Sequence, residues 1–207
     1  MNEALIKEIQ DKHINLVAVT KKHTKEEVDQ LHALGLSVFG ENRVQEFLTK
    51  YDPAYTWHII GHLQTNKVKY IIGKVDVIES LDSIKLAKEI EKQAKKQDLV
   101  QKVFVELKVS QTDENKTGYP YQDAMNFLAE LQQFPHIKVK GLMCIATHTD
   151  DQAVNIKEFD TMKQIFDEAK EKYPEIETLS MGMSHDWHLA LEHGSTQVRI
   201  GTALFTD

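Results

Sequence analysis

A short aliphatic stretch followed by a helical pattern recurs along almost the whole chain, and this recurrence limits the folds that the chain can adopt. In the first unit, residues 14–20 are mostly aliphatic, which is typical of a parallel strand buried on both faces. Thr24 and Glu27 follow with the spacing of a capping box, and Gly35 occupies the position of a helix stop. We count about eight such units, and a helix is predicted after every strand except the last.

Eight regular βα units predict an α/β fold, specifically a single-domain parallel (β/α)8 barrel of the TIM type. Residues 1–12 add an amphipathic N-terminal helix before the first strand. A doubly wound open sheet is the alternative, but neither G-x-G-x-x-G nor G-x-x-x-x-G-K-[ST] follows the first strand. A chain of 207 residues is short for two substantial domains, so one domain is predicted over residues 1–207.

Charge and composition argue against several classes of partner. The net charge of -7 and the sequence pI of about 5.8 disfavour nucleic-acid binding, because nucleic-acid-binding domains usually carry a basic face. No stretch approaches the length of a membrane span, and the first residues lack the apolar segment of a signal peptide. Cys144 is the single cysteine and lies in an apolar stretch, so a buried thiol in a reducing compartment is expected. These features predict a cytoplasmic protein, and the lack of an evident apolar stripe predicts a monomer.

Lys21 is the candidate nucleophile because it directly follows the first predicted strand. A lysine that emerges from a packed core is desolvated, and the adjacent Lys22 adds a second cation. Both effects disfavour the ammonium form, so the free amine, which forms Schiff bases, becomes accessible near neutral pH. The alternative is that Lys21 and Lys22 are only a solvated strand exit, and for an isolated pair of lysines that is the better interpretation.

Two turns after the seventh and eighth predicted strands have the residues of an anion site. Ser184 ends a turn of small residues before a predicted helix, where its hydroxyl and exposed amides can bind an anion. Gly201 permits close backbone approach after the eighth strand, and Thr202 supplies a hydroxyl and an amide. Taken singly, Ser184 is more simply a helix cap, and Arg199 is one half of a structural ion pair. Together with Lys21, these turns describe a site for a phosphorylated aldehyde held as an imine.

Six segments of the chain also carry a resemblance to a known family. In order along almost the whole chain, they resemble motifs of the pyridoxal phosphate homeostasis proteins, the YggS/PROSC family: residues 17–21, 39–46, 58–67, 141–143, 179–184 and 198–202. The resemblance implies a barrel like the N-terminal domain of alanine racemase, with pyridoxal 5'-phosphate (PLP) bound to Lys21 as a Schiff base. It also implies phosphate contacts from Ser184, Gly201 and Thr202, Arg199 beside the pyridine nitrogen, and Asn42 in the pocket lining.

The resemblance further implies a role in intracellular PLP homeostasis, in which the protein holds the cofactor without substantial turnover of its own. Apo forms of PLP-dependent enzymes are then candidate protein partners. The alternatives are a PLP-dependent racemase or transaminase, a Schiff-base aldolase on the same barrel, and an interaction scaffold without chemistry.

Three other residues are weaker candidates for ligand contacts. Lys116 matches a lysine of the family and is a candidate second PLP contact, although an exposed loop lysine is the simpler interpretation. His185 and His188 have i, i+3 spacing, but no third ligand is indicated, so no metal site is predicted.

Overall fold

The computed structural model describes residues 1–110 and 117–206, which form a parallel barrel surrounded by helices. The strands are β1 Leu16–Val19, β2 Val38–Glu41, β3 Thr56–Ile59, β4 Val77–Leu81, β5 Gln101–Lys108, β6 Tyr119–Pro120, β7 Ile137–Met143, β8 Thr178–Ser180 and β9 Val198–Ile200. The α-helices are α1 Glu3–Asp11, α2 Lys25–Ala33, α3 Val44–Lys50, α4 Ile84–Lys96, α5 Ala124–Leu131, α6 Gln152–Lys172, α7 Trp187–Glu192 and α8 Thr202–Phe205. The described 3-10 helices are Thr65–Tyr70 and Tyr121–Asp123.

Eight strands follow one parallel path in the order β8-β7-β5-β4-β3-β2-β1-β9, and the short β6 pairs with β5 outside this path. The two ends of the path meet, because a parallel bridge joins Ser180 of β8 to Gln197 just before β9. At the same junction, the Met181 amide donates to the Gln197 carbonyl oxygen at 3.1 Å. The prediction of a (β/α)8 barrel is therefore confirmed, and the open-sheet alternative is wrong.

Side-chain caps begin four of the described α-helices, at Asn2 for α1, Thr24 for α2, Ser83 for α4 and Asp151 for α6. Thr24 and Glu27 form the predicted capping box at the start of α2. The α-helix predicted after Thr65 is instead a 3-10 helix that has no side-chain cap. The 3-10 repeat of three residues places Val68 and Ile71 on the same side, and both are fully buried. Helix α8 is a single turn that follows β9, where the sequence predicts no helix.

The inside of the barrel combines apolar and polar side chains. Two small apolar clusters are separate from the main core between sheet and helices, namely Val17, Val19 and Ile60, and Val77, Phe104 and Met143. Several polar side chains of the strands and of the residue before β9 are also buried, and those that form the polar cluster are His58, Glu79, Ser180, Gln197 and Arg199. The described interior is thus an apolar core crossed by a polar cluster.

A cavity of about 490 Å³ opens at the amino ends of the strands. It is lined by the first residues of β1 to β3, Leu16, Val38 and Thr56, and it reaches His58 and Gln197. This end of the barrel is opposite to the one where the sequence predicts the ligand site.

None of the helices within residues 1–110 and 117–206 is long and apolar enough to cross a membrane.

Candidate functional site

The structure brings the predicted site residues to one rim of the barrel. Lys21 and Asn42 follow β1 and β2, Ser184 lies in the loop after β8, and Gly201 and Thr202 follow β9. Strands β8, β9, β1 and β2 are consecutive around the closed barrel. Their carboxyl ends therefore meet at a single edge, which is the edge where barrel enzymes hold their active sites.

Lys21 is exposed, so the expected desolvation by a packed core is wrong. Strand β1 ends at Val19, and Thr20 takes the last buried position by donating its amide to the Gly40 carbonyl at 3.0 Å. The chain then turns outward at Lys22, which has a left-handed φ of 66°. Within the described part of the chain, the Lys21 ammonium has neither an ion pair nor a hydrogen bond.

A buried ionic cluster that the sequence reasoning missed supports the turn at Lys21. The Lys50 ammonium donates to the Thr20 carbonyl at 2.7 Å and contacts the Glu41 carboxylate at 2.6 Å. The Thr20 hydroxyl donates to the same carboxylate oxygen at 2.6 Å. Helical spacing could have indicated this role, because Lys50 lies three residues after the buried Phe47 on α3.

The Ser184 hydroxyl connects the loops after β8 and β9. It accepts a hydrogen bond from the Gly201 amide at 3.3 Å. Helix α7 starts only at Trp187, so the interpretation of Ser184 as an ordinary helix cap is wrong. A Cβ atom at Gly201 would lie 3.2 Å from the Val19 side chain, so glycine permits the close approach of this loop to β1. Thr202 begins α8 beside this contact and is exposed.

Arg199 points into the barrel and is only 3% exposed. One terminal nitrogen of its guanidinium donates to the Ser180 hydroxyl at 2.7 Å, and the other donates to the Cys144 carbonyl at 2.8 Å. Both acceptors are neutral, and the direct ion pair considered from the sequence is not formed among the described residues. Cys144 is buried, as the sequence predicts. The Arg199 guanidinium therefore keeps hydrogens that can donate to a ligand.

Asn42 presents an unused acceptor to this rim. Its Oδ1 atom is buried and has no hydrogen-bond partner in the described ranges. Gly61 allows the Asn42 backbone to lie close, because a Cβ atom there would be 2.4 Å from the Asn42 carbonyl oxygen. A buried polar atom without a partner is uncommon in folded proteins, so Asn42 fits a position that contacts a ligand.

The remaining candidates lie apart from this group or outside the described residues. His58 is a hydrogen-bonded interior residue, while the His62 side chain is 56% exposed and its Nδ1 lies 3.6 Å from Oδ2 of Asp82. Lys116 lies outside the described residues, and the described part of the chain contains no cluster of three or more histidine, cysteine or carboxylate side chains that could hold a metal ion.

Glu106 is a second buried carboxyl inside the barrel. Burial raises its pKa, and a hydrogen bond from the Thr117 hydroxyl acts in the opposite direction.

Comparisons with known proteins agree with this geometry. A family model described as the alanine racemase N-terminal domain matches residues 2–207. A pyridoxal phosphate homeostasis protein of Aquifex aeolicus (strain VF5) is 42% identical over 197 residues, which cover 93% of this chain and 86% of the relative.

Two solved structures of one protein match nearly the whole chain. PipY of Synechococcus elongatus PCC7942, solved without PLP, is 32% identical, with a TM-score of 0.91 and 100% of both chains covered. The structure of PipY with PLP bound is 31% identical, with a TM-score of 0.89, and the match covers 99% of this chain and 100% of PipY. The chain therefore belongs to the pyridoxal phosphate homeostasis protein family, whose barrel is that of the alanine racemase N-terminal domain.

Proposed function

We propose that this protein binds PLP reversibly through Lys21 and takes part in intracellular PLP homeostasis, with residues 1–207 acting as one PLP-binding domain. The relative PipY, which shares the fold and 31% of the residues, has been solved with PLP bound. The observation that carries the proposal is the convergence of three unlike groups at one rim. These are the unpaired Lys21 ammonium, the Ser184 hydroxyl beside the Gly201 amide, and the buried Arg199 guanidinium.

Each group suits one part of the cofactor. After the Lys21 ammonium gives one proton to water, the amine can attack the aldehyde carbon. A carbon–nitrogen double bond then forms, and the aldehyde oxygen leaves as water with the two amine hydrogens. The Ser184 hydroxyl and the amides of Gly201 and Thr202 can donate to the phosphate. Arg199 can face the pyridine nitrogen with guanidinium hydrogens that its two described partners leave unused. Addition of water reverses the Lys21 step, which suits a protein that stores and releases PLP.

The proposed role is that of a carrier without substantial turnover of its own. Apo forms of PLP-dependent enzymes are the proposed recipients. The monomeric state and the cytoplasmic location stay predictions from the sequence. Bound PLP also separates the carrier from a Schiff-base aldolase, because an aldolase would hold a sugar phosphate at the same rim and would not be coloured.

Borohydride reduction in the presence of PLP tests the proposal directly. Reduction converts the imine into a stable secondary amine, and peptide mapping then identifies the modified lysine. We expect one labelled residue, Lys21, and a visible absorption band before reduction. A colourless protein that incorporates no label would contradict the proposed function.

We expect the combined replacement of Ser184 and Thr202 by alanine to weaken PLP retention more than either single replacement. A hydrogen bond to a charged group contributes about 1.5–3 kcal/mol, so each lost hydroxyl should raise the dissociation constant roughly tenfold or more. Binding should persist because the backbone amides of both loops remain. Equilibrium titration with PLP measures the effect, and Thr161→Ala on α6 is a control that removes a hydroxyl on the outside of the barrel. If the double variant binds PLP with unchanged affinity, the phosphate binds at another place in the protein.

We expect the PLP-loaded protein not to racemise L-alanine at a useful rate. A guanidinium beside the pyridine nitrogen disfavours protonation of that nitrogen, and an unprotonated ring withdraws electrons weakly from the α-carbon. Exchange of the α-proton in deuterated water, followed by NMR, is the measurement. Rapid exchange with loss of chirality that disappears in Lys21→Ala would favour an enzyme over a carrier.

A further inference from the structure

A buried chain of hydrogen bonds leads from Arg199 into the interior of the barrel. Arg199 donates to the Ser180 hydroxyl at 2.7 Å, and this hydroxyl donates to the Glu79 carboxylate at 2.7 Å. The other carboxylate oxygen of Glu79 receives His58 Nδ1 at 2.6 Å and the Gln197 amide at 2.8 Å. Ser180 and Glu79 are fully buried, so these contacts are shielded from water.

The hydrogen of the Ser180 hydroxyl can point in only one direction within this hydrogen-bonded network. Ser180 accepts from both Arg199 and Gln197, at 2.7 Å and 3.0 Å, and these two bonds use both of its lone pairs. Its hydrogen must therefore point at Glu79, which as a carboxylate can only accept. Because the hydrogen and both lone pairs of Ser180 are used, the buried network holds this hydroxyl in one geometry.

Glu79 supplies the negative charge of the network, opposite the positive charge of Arg199. Burial raises the pKa of its carboxyl, but the hydrogen bond from His58 and the charges of His58 and Arg199 outweigh burial, so the net pKa lies below the ordinary value. An ionised Glu79 stabilises the cationic guanidinium of Arg199 without direct contact, since the Ser180 hydroxyl lies between the two groups. It leaves the guanidinium edge that faces the ligand free, because the carboxylate contacts Ser180 rather than Arg199.

We propose that Glu79 is a positioning residue for PLP, which acts through Ser180 to fix the Arg199 guanidinium against the pyridine nitrogen. The inference rests on the proposed function. It assigns a specific task to two residues that touch neither the aldehyde nor the phosphate. The competing explanation is that this hydrogen-bonded network only fills the interior of the barrel and has no effect on the ligand.

A ligand that lacks the ring nitrogen separates the two explanations. The 1-deaza analogue of PLP carries carbon at that position and keeps the aldehyde and the phosphate. We expect the parent protein to bind PLP more tightly than the analogue. In Glu79→Gln, the amide has one acceptor oxygen where the carboxylate has two, so it cannot accept from Ser180 and from His58 and Gln197 at once. The network that fixes Arg199 is then broken, and the preference for PLP should shrink at least about tenfold. Ser180→Ala should shrink the preference in the same way, because it removes the link between Glu79 and Arg199.

Three measurements accompany the titrations: the visible absorption spectrum of bound PLP, thermal unfolding of the apo-protein, and the same titrations on a matched control. The control is Glu91→Gln, which changes another carboxylate that binds a histidine Nδ1, that of His136 at 2.7 Å, far from the rim. We expect Glu91→Gln to leave both the spectrum and the ligand preference unchanged.

The possible outcomes lead to separate conclusions. A smaller preference for PLP together with an altered spectrum, in Glu79→Gln or in Ser180→Ala, supports the inference. Equal losses of affinity for PLP and for the analogue would overturn it, since a general disturbance of the barrel affects both ligands alike. If Glu79→Gln fails to fold, Ser180→Ala decides by the same criteria. A parent protein that does not bind PLP would instead refute the proposed function itself.

Discussion

Replacement of Lys21 by alanine is expected to abolish the visible absorption of the PLP-loaded protein and to leave the fold intact. No other group in the proposed site can form a carbon–nitrogen double bond with the aldehyde. The fold should tolerate the change because the Lys21 side chain is exposed and its ammonium has no partner in the described part of the chain. Absorbance, borohydride labelling and circular dichroism measure these effects.

Lys22→Ala is the matched control for this experiment. Lys22 is also exposed, and its described hydrogen bond to Glu46 is made by the backbone amide, which alanine retains. The Lys22 variant should therefore stay coloured and should label at Lys21. If Lys21→Ala remains as yellow as the parent protein, another lysine forms the imine.

Lys50→Met is expected to destabilise the protein by about 3–5 kcal/mol, because it leaves the Glu41 carboxylate buried without its cation. Glu41 is fully buried, and its second oxygen already lacks a partner among the described residues. The Thr20 carbonyl would lose its contact with Lys50 as well. Chemical denaturation followed by fluorescence measures the change in the free energy of unfolding.

Two further variants test whether burial of the Lys50–Glu41 ion pair causes the loss of stability. Lys7→Met removes one half of a solvent-exposed pair with Asp11 and should be indistinguishable from the parent, because such pairs contribute little. Lys50→Met combined with Glu41→Gln should recover part of the lost stability, since the uncompensated charge is gone. If the double variant is less stable than Lys50→Met alone, charge burial does not explain the effect.

The barrel is predictable from the sequence because its strands are buried on both faces and are followed by regular helical patterns. Nearly continuous aliphatic runs, such as residues 14–20, distinguish such strands from the alternating strands of an open antiparallel sheet. The placement of candidate site residues at strand ends, such as Lys21 and Ser184, is predictable for the same reason, because the carboxyl ends of parallel strands share one rim. Their approximate placement therefore needs only the order of the elements.

Side-chain environments are not predictable in this way. The turn that exposes Lys21 depends on a left-handed residue, Lys22, and on a buried ion pair between α3 and β2, neither of which has a local signal at Lys21. The hydrogen bond between Ser180 and Glu79 joins residues 101 positions apart. Such contacts arise only when the barrel closes, so hydrophobic periodicity carries no information about them.

Strands β8 and β9 share one isolated bridge in place of a ladder, and backbone hydrogen bonds such as the one from the Met181 amide complete their junction. Ser184 and Gly201 lie on opposite sides of this junction, and a ligand that contacts both spans it. A ligand that binds only the closed barrel stabilises the closed form in proportion to the logarithm of its concentration above the dissociation constant. Hydrogen exchange at the Met181 amide, which bonds across the junction, would then slow as free PLP becomes more abundant. The open form of the barrel would thereby become rarer as the supply of the cofactor rises.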